Sequence, residues 1–403
     1  MKSIKYIAYA ITIMAASALT ASCDDEPNDD SRSSIELEPA EWEHNQSLNA
    51  FSTKLVTKVA SMSDGGNILI SPLGLNMVLG MIGNGVQGDA YDNFCSAFGI
   101  SDINALNSLN DKIMNTFMTA DNQCEVMLAN SVWSVKPIVS DYTSLVEKIY
   151  SANTFEVERL SKSEIDKWGD RATKGKLTDV AEPDISKYPS ALYNLLYFNG
   201  KWEHPFDPEN TKKADFTTID NEKHQVDMME GKFDDFSVLQ NDFMRMAYMD
   251  FGNKDHFTMC AMLPNKGVDV CEALESLPGD WTTESTLEPD LPKKIAMPKF
   301  NLDMKVIWDD LLKSCGLSGI FETCDFSPMF GTPAKISGIY QKINFEINEA
   351  GAKAKVVTGV NMDWFDITEK YQGPDFIFDR PFAFFIIERD TKAILLAGVI
   401  NRL

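Results

Sequence analysis

The chain has 403 residues, and 44% hydrophobic against 24% charged is the balance of an ordinary soluble globular protein, with enough apolar material for a full core. Its formal net charge of −23 excludes a nucleic-acid binder, because so acidic a surface repels a phosphate backbone and no cluster of Lys or Arg offsets it.

In chain order, Lys2 and Lys5 form a positive stretch ahead of the apolar run Ile7–Leu19. That run of thirteen residues is too short for a membrane span, which takes about 20, and it fits the core of a secretory signal. The small residues Thr20-Ala21-Ser22 then precede Cys23, which resembles a bacterial lipoprotein processing site where Cys23 is lipidated and becomes the mature N-terminus; a plain cleaved signal with a leftover Cys is the alternative. Asp24 to Ser31 is acidic and short of apolar residues, so it cannot bury enough surface to fold. It reads as a solvated linker, and it also resembles surface-export signals of some Gram-negative lipoproteins. The expected organisation is a signal peptide over 1–22, an acidic tether over 23–40 and one folded domain over 41–403. The expected location is the outer membrane or cell surface of a Gram-negative bacterium, the periplasm or the extracellular medium.

From Trp42 to Met62 apolar residues recur at helical spacing (Leu48, Phe51, Leu55, Val59), predicting an amphipathic first helix. Asp64-Gly65-Gly66-Asn67 breaks it, Ile68–Ile70 is a short strand, and Ser71-Pro72 supplies an N-cap and first-turn proline for a helix over Leu73–Ile82. Strands are predicted over Val126–Val135, Ala191–Phe198, Phe257–Leu263 and Ile295–Leu302, and helices over Ser140–Ser151, from Glu164 to near Lys174, and over Met304–Leu312. The continuous apolar run Ala191–Phe198 fits a strand buried on both faces. Phe382–Ile387 and Ala393–Ile400, joined by Glu388–Lys392, form a hairpin pattern. Helices and strands mix without a βαβ rhythm or a repeat, which predicts one large α+β domain.

No catalytic constellation stands out. The four His (His44, His204, His224, His256) lie in no HExxH motif and beside no G-x-S-x-G elbow, and surface or capping roles are expected for them. There is no phosphate-binding loop and no dinucleotide fingerprint. Beyond Cys23 the six cysteines (Cys95, Cys124, Cys260, Cys271, Cys315, Cys324) contain no CxxC pair, and most read as small buried hydrophobes. A hydrolase is disfavoured, and neither a metal nor a cofactor is expected.

Several segments in one order resemble the serpins. They are Asn67–Leu73, Leu128–Trp133, Ile165–Trp168 with Thr173–Lys176, Tyr197–Phe206, Met297–Phe300, Phe345–Gly351 and Asp379–Phe384, and the similarity runs from about residue 48 to Leu403. The resemblance implies one domain of three β-sheets and eight or nine helices, with an exposed reactive loop over about 350–378. A protease cleaves that loop in this family, and the loop then enters the largest sheet as a new strand, trapping the acyl-enzyme. The resemblance also implies roles for single residues. Glu349, Gly351 and Ala352 open the loop hinge; Ser71, Asn199 and Gln341 form the shutter beneath the opening sheet, with Gln341 standing where the family usually has histidine; Trp202 marks the entry point of the loop.

The hinge residues support insertion on their own terms. Successive strand side chains face opposite ways, so Ala352, Ala354, Val356 and Thr358 share one face while Lys353, Lys355, Val357 and Gly359 share the other. A one-residue slip would bury both ammonium groups, at several kcal/mol each. Ala350, where many inhibitory members have Glu, and the two lysines depart from the family pattern. The family's spacing from Glu349 puts the cut bond at Phe365-Asp366, about 43 Å of strand beyond Ala352 at 3.3 Å per residue; counting back from Pro381 puts it near Lys370-Tyr371. The first suits a protease with a large apolar pocket, chymotrypsin-like or elastase-like, and the second a trypsin-like one. The expected function is thus a suicide inhibitor of a serine protease, with a cysteine protease as the other target class, acting as a monomer tethered to the membrane by its lipid. A non-inhibitory surface binding or carrier protein is the alternative.

Overall fold

The computed structural model describes residues 35–100, 102–117, 124–233, 237–252, 256–282, 293–352 and 375–403. Among them are nine α-helices: α1 (Pro39–Met62), α2 (Pro72–Gly85), α3 (Asp89–Phe98), α4 (Ile103–Phe117), α5 (Ser140–Tyr150), α6 (Lys162–Ala172), α7 (Val270–Glu275), α8 (Asp309–Leu312) and α9 (Ser327–Phe330). α1 starts earlier than its apolar repeat suggests. Pro39 occupies the first turn, the Glu41 carboxylate accepts the Glu38 N–H at 2.8 Å, and the Ile35 N–H reaches Asp390 Oδ2 at 2.9 Å. Residues 35–40 of the segment expected to be a tether over 23–40 thus lead into and form the start of α1.

The largest sheet runs β11 (Phe300–Ile307), β12 (Ile339–Asn348), β4 (Ser190–Gly200), β2 (Cys124–Ser134), β3 (Asn153–Glu156), with the two-residue β13 (Gly351–Ala352) paired to β12. A second sheet runs β1 (Ile68–Ile70), β16 (Ile394–Ile400), β15 (Phe382–Glu388), β9 (Phe257–Pro264), β8 (Met244–Phe251), β7 (Ser237–Gln240). The third runs β14 (Phe376–Ile377), β10 (Lys293–Pro298), β6 (Lys223–Phe233), β5 (Lys212–Thr217). The C-terminal hairpin pairs β15 with β16 as expected.

Two expectations are corrected. The strand expected over 295–302 is two strands in different sheets, divided at Lys299. The helix expected over 304–312 is strand as far as Ile307, with only Asp309–Leu312 helical: Met304 and Val306 alternate in pairing with β12, and a turn of helix then continues the apolar spacing.

β4 is the divider of the core. Its even-numbered residues Leu192, Leu196 and Phe198 join the main cluster with α2, which is buried along almost its whole length and is accordingly apolar on every side. Its odd-numbered residues Tyr193, Leu195 and Tyr197 pack in a second cluster with Ile165 and Trp168 of α6. Cys95, Cys124 and Cys260 are buried as small residues, and Cys271, Cys315 and Cys324 are partly exposed. His204 and His224 are on the surface, but His44 and His256 are buried, contrary to the surface or capping role expected of them.

Candidate functional site: a seam in the largest sheet

Through the middle of the largest sheet runs a seam. β12 and β4 pair in parallel from Ile339 opposite Leu192 to Asn344 opposite Tyr197, and there the ladder ends. Phe345 and Ile347 keep their antiparallel partners Leu302 and Phe300 in β11, so β12 continues while β4 diverges from it. The chain then turns at Glu349-Ala350 and returns as β13, with Gly351 opposite Asn348 and Ala352 opposite Ile347. Gly351 also bridges Lys201, just beyond β4. The hinge therefore lies in the gap between the two strands, antiparallel to β12.

The residue types fit this position closely. Gly351 has φ of +134°, and a Cβ there would sit 2.2 Å from the Gly200 carbonyl oxygen, so only glycine fits. Ala352 is fully buried in the main cluster. That is the face expected for Ala352 and, by alternation, the one expected for Ala354, Val356 and Thr358. Those three residues, together with Phe365, Asp366, Lys370, Tyr371 and Cys23, lie outside the described residues.

The mouth of the gap is fastened from one side. Trp202 donates its backbone N–H to Ala350 O and its indole N–H to Asn348 O, both at 3.0 Å, while Phe206 N–H donates to Glu349 O at 2.9 Å. The indole stacks on Phe251 at 4.3 Å, which fixes its aim. The Glu349 carboxylate accepts the Thr211 hydroxyl at 2.8 Å and the Lys299 ammonium at 3.0–3.1 Å. Burial pushes this carboxyl up, but a backbone hydrogen bond, Thr211 and Lys299 together outweigh burial and hold it below the ordinary value of 4.5.

Halfway along the seam, its two sides are joined by side chains. On the α6 side, Tyr193 and Tyr340 stack across it at 5.4 Å. On the α2 side, Gln341 is register partner of Asn194, and its Nε2 donates to Asn194 Oδ1 at 3.3 Å. The same amide donates to Ser71 O at 3.0 Å, while its Oε1 accepts Ser71 N–H at 2.9 Å. Ser71 caps α2 by accepting Gly74 N–H at 3.0 Å, and its hydroxyl donates to Leu395 O of β16 at 2.6 Å. Glutamine thus satisfies with both ends of its amide a site that water does not reach.

Of the residues expected in this cluster, Ser71 and Gln341 are in it, and Asn199 is not. Asn199 lies five residues beyond Asn194 on β4, about 17 Å along the strand, and the odd spacing turns it to the α6 face. Asn194 takes the expected place, and Asn130 of β2 extends the cluster by accepting Asn194 Nδ2 at 2.9 Å. Asn194 could have been found: it is the one polar residue inside the apolar run Ala191–Phe198, and a buried amide needs a partner.

A family profile described as Serpin (serine protease inhibitor) matches residues 46–403. The chain belongs to the serpin family. Serpin-ZX of Arabidopsis thaliana is 26% identical over 372 residues, covering 84% of this chain and 93% of the plant protein. A serpin-like protein of Methanosarcina mazei is 24% identical over 367 residues, covering 88% and 86%. Among solved structures, the thermophilic serpin tengpin in its native state has a TM-score of 0.80 at 22% identity, covering 92% of this chain and 96% of its own. Human thyroxine-binding globulin, bound to its hormone, has a TM-score of 0.80 at 18% identity, covering 90% and 99%. These likenesses show the serpin fold; the family in general consists of protease inhibitors and not enzymes, though some members, such as thyroxine-binding globulin, are non-inhibitory.

Two predictions follow from the seam of this serpin. Gln341→Ala leaves buried polar groups of Ser71 and Asn194 without a partner, at about 1–3 kcal/mol each, and denaturant unfolding will read a lower midpoint. Gly74→Ala, which on an exposed helix would stabilise, will instead destabilise, since its Cβ would fall 2.0 Å from Asn194 Oδ1. The Glu349 latch has a pH signature as well. Its lowered folded pKa contributes stability that is present above 4.5 and lost as pH falls through the lowered value. The stability difference between wild type and Glu349→Gln, measured by thermal unfolding, will therefore shrink as the solution is acidified through that range.

Proposed function

We propose that this serpin is a suicide inhibitor of serine proteases that traps the acyl-enzyme by drawing its cleaved loop into the seam. The supporting observation is β13: Gly351 and Ala352 already occupy the slot between β12 and β4, in the register that turns the small side chain of Ala352 into the main core. The α6 side of the sheet also tolerates the lysines. Lys342 of β12 is buried there and its ammonium meets Asp303 at 2.7 Å, so Lys353 and Lys355 would enter a face that already holds an ion pair. We take Phe365-Asp366 as the cut bond and a chymotrypsin-like or elastase-like protease as the target, with Lys370-Tyr371 and a trypsin-like protease as the other assignment. A monomer, lipidated at Cys23 and tethered to a Gram-negative outer membrane or cell surface, completes the reading.

Mixing the mature chain with proteases of the three specificities will give an SDS-stable covalent complex, and the mass of the released C-terminal peptide will identify the bond. Thr358→Arg puts a charge on the inserting face at a cost of several kcal/mol, so it will be cleaved with more than about a tenfold loss of complex. Clean cleavage of the wild type with every protease left active would instead support a carrier. Cys23→Ser will move the protein from the membrane to the soluble fraction on cell fractionation.

A further inference from the structure

The polar chain across the seam does not end at Asn194. Asn194 donates to Asn130, and Asn130 Nδ2 donates at 2.9 Å to the carbonyl of Tyr150, the last residue of α5. The Tyr150 hydroxyl in turn donates to Asn107 Oδ1 of α4 at 2.5 Å. Asn107 is paired reciprocally with Asn84 of α2 at 2.8 and 2.9 Å, and Asn84 also donates to Gly80 O at 2.8 Å. A path that leaves the start of α2 at Ser71 thus returns to α2 near its end. Tyr150, Asn130, Asn194 and Gln341 are all at least 98% buried.

Opening the seam separates two bodies. β12 stays with β11 and, through Gln341 and Ser71, with α2 and β16. β4 moves with β2, to which it is laddered from Cys124 opposite Gly200 to Ser134 opposite Ser190. Gln341–Asn194 joins these bodies at the seam itself. Tyr150 joins them a second time, since its carbonyl is held by β2 and its hydroxyl by the α2–α4 pair. The hydroxyl lies close against α2: a Cβ on Gly80 would fall 2.4 Å from its oxygen. Burial drives the phenol pKa far up, so the hydroxyl remains a donor at every working pH.

We propose that Tyr150 is a positioning residue for sheet opening, tying the moving β4–β2 half of the sheet to α2 and α4, so that opening of the seam depends on the Tyr150–Asn107 bond as well as on Gln341. This deepens the insertion reading and rests on it for its consequence in trapping, while the tie itself is testable without any protease. Tyr142 provides the control. It lies on the same helix, is buried as well, and donates its hydroxyl to Met81 O of α2 at 3.0 Å, but it has no bond to the asparagine chain.

The experiment is native-state hydrogen exchange on the full chain, read by mass spectrometry at the seam ladder over 190–200 and 339–348. Tyr150→Phe will speed exchange there by about fivefold, the effect of losing one hydrogen bond of ordinary net strength. Asn107→Ala, which breaks the same bond from the α4 side, will do likewise, and Tyr142→Phe will leave the ladder at the wild-type rate. Equal acceleration by Tyr150→Phe and Tyr142→Phe, or none by Tyr150→Phe, overturns the proposal. Covalent complex with protease is measured in parallel: its absence in the wild type would defeat the inhibitor reading, while the exchange rates would still decide the tie.

Discussion

The amide of Gln341 makes three hydrogen bonds that together hold a helix cap, a central strand and its neighbour in one arrangement. Its position explains why so much depends on it. The flanking ladders of the sheet, β11 with β12 and β4 with β2, are long and antiparallel, whereas the one between β12 and β4 is short and parallel. Parallel pairing is slightly weaker per residue, so the sheet has a built-in line of least resistance, and the side-chain contacts across it decide whether that line stays shut. Removing one buried amide there costs what its unpaired neighbours lose, with no solvent to compensate them.

The layer over the other face is anchored differently. Lys162 of α6 bonds Asp166 and Asp179 at 2.8 and 2.6 Å, and Asp179 also meets Lys305 of β11 at 3.0 Å. Hydrogen bonds from Lys162 and Lys305 hold the Asp179 carboxyl down at about 2. These ions are partly exposed and individually weak. The covering helix is thus fastened to the sheet edge by contacts that rearrange cheaply, while the core face is fastened by buried amides that do not.

Much of this was legible in the sequence. Ser71-Pro72 announced the start of α2, and the apolar run of β4, interrupted only by Asn194, announced a strand buried on both sides. The ordered serpin-like segments located the hinge and both Ser71 and Gln341. What failed was geometry that one-dimensional spacing does not contain. Asn199 sits in the most family-like stretch of the chain, but it lies about 17 Å along β4 from Asn194 and faces the other way. The region after Met297 misled because strand alternation and helical spacing overlap through Met304, Trp308 and Leu311, and only the pairing with β12 separates them. The asparagine chain through Tyr150 joins residues far apart in sequence, with no local pattern to mark it.

The two residues of β13 have a thermodynamic corollary. On the insertion reading, each further residue entering the gap exchanges part of a short parallel ladder for pairing on both sides of a new antiparallel strand. The folded chain then lies uphill of a better-bonded form of itself, and the barrier between them is the seam. The durability of such a molecule is a lifetime and not an equilibrium constant. Slow heating would find it fragile, fast heating would find it robust, and the loop would have crossed its first nucleating step before any protease arrived.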